Sequence, residues 1–523
     1  MLASRLLAFV LLALPAAGAE EPAQQIRHLA SLGRADGPAP SPDGARLAYL
    51  TTMFGGRPQA AVMALDGSFP QQLTDEPGGV LGLRYSPSDG HLIVAQVRRQ
   101  ERQRLILVDD QVAAPTEVDS TPGDQLLGGF TRDGRKLLYA NLESGKVTLR
   151  LLALDTRKAV DIAPPPNPAL PPPGATPPAA LIPLAESTQG LVALGPISSD
   201  GRSALFQVRR GSAIKEGAPA ADEFIYLLDL ATARAELITP HDKPARFRSP
   251  HFSPDGRTVY LLTDAGRATL GVEAVTLATK IRRVILAGPR PVEAYALSED
   301  GHRLAAASEA EGETILSQLE LPSLRPQPMP LPPGGALELM QDCESIVWTR
   351  SGDRLLFAWR LAADTTDLWG IKLGFGTPTR LTRSAHPGIA LDQLPRPEQV
   401  KVPGQGGELQ GWLWRPAQIE RPRAAILLQT LARPVLDARI QTLVALGFAV
   451  LSVGVKAEAS DLQSARSFVE TRGDLDAHSP LLISETKLGE KPKGAALFEW
   501  HGRPIDATSL AELQLIAADE LKK

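Results

Sequence analysis

Ser253-Pro254-Asp255-Gly256 runs, after Arg257, into the β-rich stretch Thr258-Val259-Tyr260-Leu261-Leu262, and the chain restates this phrase along most of its length. Ser41-Pro42-Asp43-Gly44 is a second full copy, and Ser86-Pro87-Ser88-Asp89-Gly90 is a third with one extra residue. Thr131-Arg132-Asp133-Gly134, Ser198-Ser199-Asp200-Gly201 and Ser298-Glu299-Asp300-Gly301 are looser copies, and Thr349-Arg350-Ser351-Gly352 keeps only the glycine and the hydroxyl. β-runs such as Arg46-Leu47-Ala48-Tyr49-Leu50 and Arg354-Leu355-Leu356-Phe357 follow at once. Asp-Gly suits the tight turn between antiparallel strands, because glycine accepts positive φ and Asp can bond its own backbone. Seven turns of one kind predict seven copies of one small sheet. The acidic residues in them (Asp43, Asp133, Asp255) are therefore read as structural.

From Gly44 to Gly352 the turn glycines are spaced by 46, 44, 67, 55, 45 and 51 residues. The short steps match a four-stranded propeller blade of about 40–45 residues. Blade one reads as a short strand before Ser41, then 45–51, 59–65 and 71–74. Blade four repeats the scheme at 203–209, 224–230 and 235–239, and blade seven at 346–349, 354–359, 367–373 and 379–382. Three blades close on one phrase: Gln72-Leu73-Thr74, Leu237-Ile238-Thr239 and Arg380-Leu381-Thr382. A lone blade cannot bury both faces of its sheet, whereas seven in a ring can. The expected fold is mainly β, with a seven-bladed β-propeller over residues 30–390. The step of 67 is explained by the proline-rich run 164–178, read as a stiff polyproline-II loop between blades three and four rather than a docking segment. The run 321–335 gets the same reading.

The 523 residues exceed one ordinary core, and 43% hydrophobic with 22% charged residues is globular composition. The start is a processing signal, with Arg5, an apolar core at 6–14 and the cleavage motif Ala17-Gly18-Ala19. A cleaved leader of 1–19 predicts a secreted or periplasmic protein, and no later stretch reaches the roughly twenty apolar residues of a membrane span. Losing Arg5 takes the formal charge from −4 to −5, which argues against a nucleic-acid partner. Cys343, the single cysteine, cannot form an internal disulfide and is read as buried in the last blade. The eight histidines include no pair at i, i+4, and no metal or cofactor site is expected. Gly404-Gln405-Gly406-Gly407 is read as a hairpin turn, and Gly374-Phe375-Gly376, which opens no helix, is likewise no phosphate cradle. Arg98, Arg99, Arg102 and Arg104 are read as a solvated hairpin tip.

Beyond Pro395 and Pro397 the rhythm changes to alternating strand and helix, so a second domain is drawn at 398–523. A hairpin at 400–402 and 408–414 leads to a strand at 424–428, a helix at 435–446 and a strand at 448–453. A helix capped by Ser460 or Asp461 follows, then strands at 481–483 and 495–500. A terminal helix opens on a Ser509/Glu512 capping box. This is the pattern of a parallel sheet covered by helices.

At this point the chain resembles the prolyl oligopeptidase family of serine peptidases, in which a β-propeller screens an α/β-hydrolase domain. The propeller repeats also resemble TolB-type, WD-like propellers. The hydrolase likeness rests on Glu408-Leu409-Gln410-Gly411-Trp412-Leu413-Trp414-Arg415-Pro416, Ala424-Ala425-Ile426-Leu427-Leu428 and Leu446-Gly447-Phe448-Ala449-Val450-Leu451. The resemblance implies His-Gly-Gly-Pro after the first buried strand, where this chain has Gln429-Thr430-Leu431-Ala432-Arg433-Pro434. It implies G-x-S-x-G at the nucleophile elbow, and no such string occurs in the chain; after 481–483 it reads Ser484-Glu485-Thr486-Lys487-Leu488. Only 16 residues separate Ser484 from His501, too few to hold the elements that position an acid between them. Asp474, Asp476 and His478 precede the serine. The domain is also about half the length the resemblance implies. The expected function is an exported, non-catalytic scaffold for a protein or peptide, with no catalytic residue assigned. A divergent peptidase or esterase of the same family, and a TolB-like envelope component, are the alternatives.

Overall fold

The computed structural model describes residues 22–521 apart from 164–180, 184–187, 211–221, 322, 333, 341–343, 375, 405–406, 455–458, 486–495, 501–504 and 506. The leader at 1–19, the proline run at 164–178, Cys343 and His501 lie outside the described residues.

The repeated phrase builds the same object in blade after blade. Ser298 Oγ donates to Asp300 (2.6 Å) and accepts the Arg303 N–H (2.9 Å), while the same Asp300 oxygen accepts the His302 N–H (2.9 Å). Gly301 closes the turn at φ +70°. Thr131/Asp133, Ser198/Asp200 and Ser253/Asp255 repeat this geometry. Each carboxyl is held below its ordinary range, first by the hydroxyl and then by the backbone N–H. The last copy departs from the pattern less than its sequence implies. Its acid has moved two places on, past the glycine, and Asp353 accepts from both Thr349 and Ser351. The extra residue in blade two changes more. There Asp89 binds the His91 N–H (2.8 Å), and the buried Ser86 hydroxyl has no hydrogen-bond partner among the described residues.

Seven antiparallel sheets follow one another, at 35–72, 80–117, 124–161, 181–237, 247–286, 292–328 and 335–380. The molecule is mainly β, with a seven-bladed propeller. The Thr that ends the recurring phrase has a backbone job: Thr74, Thr239 and Thr382 each accept, at 2.9 Å, an N–H from the first half of their blade's third strand (Ala60, Ile225, Leu368). Seven buried apolar clusters each straddle one pair of adjacent blades. The seventh joins Leu47 and Tyr49 of blade one to Leu356 and Ala358 of blade seven, so the ring closes. Among the described residues no strand is shared across that seam, where backbone contacts are the Arg34–Thr366 bridge, with the Ala35 N–H donating to Thr366 O (2.9 Å), and the Gly33 N–H donating to Ala385 O (2.6 Å).

Two expectations about loops are corrected. Part of the run at 321–335 is sheet, since Pro326–Pro328 pairs as the outer strand of blade six, an edge where proline's missing N–H costs nothing. Of the arginines near residue 100, Arg98 and Arg102 are exposed beside the hairpin turn as expected, whereas Arg99 and Arg104 are cross-links. Arg99 pairs with Glu76 and Glu117, and Arg104 donates to the carbonyls of Asp119 and Thr121.

The second domain is a six-stranded sheet. Its strands are β1 (Glu398–Gly404), β2 (Gly407–Trp414), β3 (Arg423–Gln429), β4 (Phe448–Gly454), β5 (Asp476–Ser484) and β6 (Ala496–Glu499). Their spatial order is β1-β2-β4-β3-β5-β6, antiparallel through β1, β2 and β4 and parallel from β4 onward. Four helices cover it: α1 (Pro22–Ala30), α2 (Ala438–Ala445), α3 (Ala459–Thr471) and α4 (Ala507–Leu521). One face buries Ile26 and Leu29 of α1 with Ile440, Leu443, Leu510 and Leu513, and the other packs Ala465 and Val469 of α3 on Ile426 and Leu428. The N-terminal helix thus completes the C-terminal domain. Three helix starts differ from expectation. Asp437 caps α2, which opens at Ala438 rather than 435, while Ser460 and Ser509 lie inside their helices, each of which begins before them.

Candidate functional site

In an open α/β sheet the place to look is the crevice beyond the C-terminal ends of the parallel strands. Gln429 ends β3, Ser452 lies two residues from the end of β4, Glu485 follows β5 and Trp500 follows β6. The crevice between them is filled from within the chain. Arg439, in the first turn of α2, binds both carboxylate oxygens of Asp437 (3.0 and 2.6 Å) and reaches Glu485 at 2.6 Å. Its guanidinium also lies over the Trp500 ring, 5.5 Å from the centroid. Gln429 donates to Glu485 (3.2 Å) and accepts from Ser452 (2.6 Å).

Arg439 and Asp437 are 4% and 5% exposed at their side chains, so their charges need one another. Burial works against both. The Asp437 carboxylate, then Glu485, holds the guanidinium charged, and Arg439 with Arg360 keeps the Asp437 carboxyl below its ordinary range. Removing one member of such a pair costs about 3–5 kcal/mol, because the other is left buried and unpaired. The arrangement can hold a helix start against three strand ends. Among the described residues it presents no nucleophile beside a base.

The loop between β3 and α2 is where a hydrolase would offer backbone N–H groups to an oxyanion. Here the Leu436 N–H donates to Leu361 O of blade seven (2.8 Å), the Val435 N–H to Arg433 O (2.9 Å), and Pro434 has none. Arg433 forms an ion pair with Glu293 and a hydrogen bond to Thr314, both in blade six. The loop is a staple between domain and ring.

The residues weighed from sequence do not converge. Ser484 is completely buried inside the ladder, opposite Leu428 on β3 and Glu499 on β6, and its carbonyl accepts the Trp500 N–H (2.7 Å). Asp476 begins the same strand but pairs with Arg423, five β3 residues from Ser484's partner Leu428 and so roughly 17 Å away. His478 is 97% exposed near that far end. Asp474 is bound by Arg472 and Arg415, which hold its carboxyl well below the ordinary range. Arg439 and Glu485 carry no sequence signature, because their meeting depends on tertiary placement. Asp437, an N-cap residue just before an apolar helix, offers the one local signal that could have found the network. Among the described residues no group of three or more His, Cys, Asp or Glu side chains is placed to hold a metal, and no helix is long and apolar enough to cross a membrane.

About nine-tenths of the chain superimposes on solved peptidases. The chain shares its fold with prolyl endopeptidases. One of two prolyl endopeptidases solved to study inter-domain dynamics in catalysis and specificity matches at a TM-score of 0.66 and 14% identity, over 90% of this chain and 71% of that one. A puromycin-hydrolysing peptidase of Mycobacterium tuberculosis matches at 0.66 and 13%, over 89% and 76%. A puromycin hydrolase matches at 0.67 and 13%, with the same coverage. At such identities the likeness is one of fold. No family model and no curated protein matches the chain.

Proposed function

We propose that this chain is an exported, non-catalytic propeller protein, a scaffold that binds a protein or peptide and descends from a prolyl oligopeptidase-like serine peptidase. The observation that carries the reading is the Asp437–Arg439–Glu485 network, which occupies the crevice where such a peptidase would hold its catalytic groups. The stapled β3–α2 loop and the missing G-x-S-x-G support it from the backbone and from the sequence. Descent is supported by the shared fold, and export by Arg5, the apolar run at 6–14 and Ala17-Gly18-Ala19. With its crevice filled, the molecule keeps the ring as its concave surface for partners.

A fluorophosphonate probe tests this directly, since it labels serines activated as nucleophiles. The expected result on the purified full chain is no labelling. Labelling that is lost in Ser484→Ala would make the chain a divergent serine hydrolase and end the scaffold reading.

A further inference from the structure

Blades one to six each carry a register shift between their innermost and second strands. Blade seven instead opens its innermost strand for eight residues between Leu337 and Ile346. The described ends of that excursion reach across the axis. Met340 packs against the cluster shared by blades one and two, and Glu344 meets His251 of blade five at 3.4 Å. Blades five and seven are not neighbours, so the Glu344–His251 pair floors the tunnel. At the mouth lined by the turns, Arg350 pairs with Glu299 of blade six (3.2 Å) and donates to Pro87 O of blade two (2.8 Å), forming a rim.

Between floor and rim lies a cavity of about 220 Å³. An apolar cavity of about 150 Å³ is already enough for benzene. Pro38, Pro40, Leu83 and Trp348 give it apolar walls. Its polar lining includes Arg84, which spends one nitrogen on Gly128 O (3.0 Å) and forms no ion pair among the described residues. Burial opposes charge on both members of the floor pair, yet pairing prevails: Glu344 raises the His251 pKa, and His251 with Arg84 brings Glu344 down to about 2. The rim pair cancels. Glu299 is engaged by Arg350 and Glu344 lies against His251, so Arg84 is the guanidinium of the lining without an ion pair among the described residues.

We propose that this cavity binds a small carboxylate bearing an apolar side chain, with the carboxylate on Arg84 and the side chain against Trp348 and the prolines. The chemistry fits a free acylated amino acid and the C-terminal residue of a peptide alike. The inference deepens the scaffold reading by giving the propeller a ligand class.

Calorimetric titration of the full chain with N-acetyl-leucine and N-acetyl-leucinamide tests it. The acid should bind, the amide at least tenfold more weakly, and Arg84→Gln should lower affinity for the acid at least tenfold while Arg84→Lys restores part of it. No binding of the acid, equal binding of acid and amide, or an unaltered Arg84→Gln would each overturn the proposal. Should Arg84→Gln not fold, Val347→Phe, which fills the cavity from the blade-seven wall, must abolish binding; retained affinity overturns the proposal. An acetylated triglycyl-leucine separates the sources. Binding as tight as the small acid points to a peptide C-terminus, binding of the small acid alone points to a free acid, and binding of neither overturns the site. Fluorophosphonate labelling would end the non-catalytic reading and leave this cavity standing, whereas a silent titration would remove the cavity and leave the filled crevice.

Discussion

Asp36 is the least comfortable charge in the ring. It is wholly buried at the seam between blades one and seven, with Arg34 Nε 2.6 Å away. Burial pushes its carboxyl up from 3.8 to about 6; Arg34 opposes that and Glu338 adds to it. The folded pKa is raised, so between pH 4 and 6 the folded chain holds a proton that the unfolded chain has released. Stability therefore falls as pH rises through that window and stays lower above it. A rise from 3.8 to about 6 corresponds to roughly 3 kcal/mol. Asp36→Asn removes the charge and leaves Arg34, itself 44% exposed, to water. The variant should melt above the parent at pH 7.5, with the gap closing as the pH is lowered through 6 towards 4, read by scanning calorimetry. A gap independent of pH, or one of opposite sign, would refute the assignment. Nothing around Asp36 in sequence announced this, because Glu338 lies some three hundred residues on. The turn residues were legible for the opposite reason. Ser, Asp and Gly in Ser253-Pro254-Asp255-Gly256 interact within five residues, so local chemistry sufficed.

Between elements, the docking of domain on ring depends on a position with no side chain. Gly312 sits in the hairpin turn between Arg303–Ala310 and Glu313–Glu320, at φ +86°. A Cβ there would lie 2.6 Å from Trp412 Nε1 and 2.7 Å from Ala432 O, so blade six and the β3–α2 loop touch through bare backbone. Gly266 is a matched control, at φ +73° with nothing within 4 Å. Both Gly→Val changes pay the backbone strain, and only Gly312→Val adds the clash. Gly312→Val should raise the radius of gyration in solution scattering and expose the linker at 381–397 to protease, whereas Gly266→Val should do neither. Equal behaviour of the two would mean that the contact does not hold the domains together. The elements themselves were mostly readable, since strand alternation and apolar helix faces are short-range patterns. Helix starts were less so. Ser509 and Glu512 match a capping box, yet the helix runs back to Ala507, where its N-terminal half packs against α1 and α2.

At the scale of the molecule, the two bodies are held differently. The ring is a circuit of seven similar apolar seams, each blade supported by two neighbours. The second domain has two faces and draws one of them from both ends of the chain. That last fact was hidden from the sequence. Residues 22–30 follow the predicted leader and precede the first blade, and beyond Leu32 their apolar partners begin only at Ile389, more than three hundred residues on. Leu29 is 3% exposed and packs in the cluster of Trp414, Leu443 and Leu513. Leu29→Ala should cost the domain about 2–5 kcal/mol, the usual range for a buried leucine. No seam of the ring contains Leu29, so the loss should be confined. Hydrogen exchange separates the outcomes, because peptides covering β3 and β4 report on the domain and those covering 93–108 or 304–319 report on blades. Faster exchange in the first set with the second unchanged is expected. Equal loss in both would show that the ring depends on the domain for its closure, and that seven seams of side chains do not suffice to hold it.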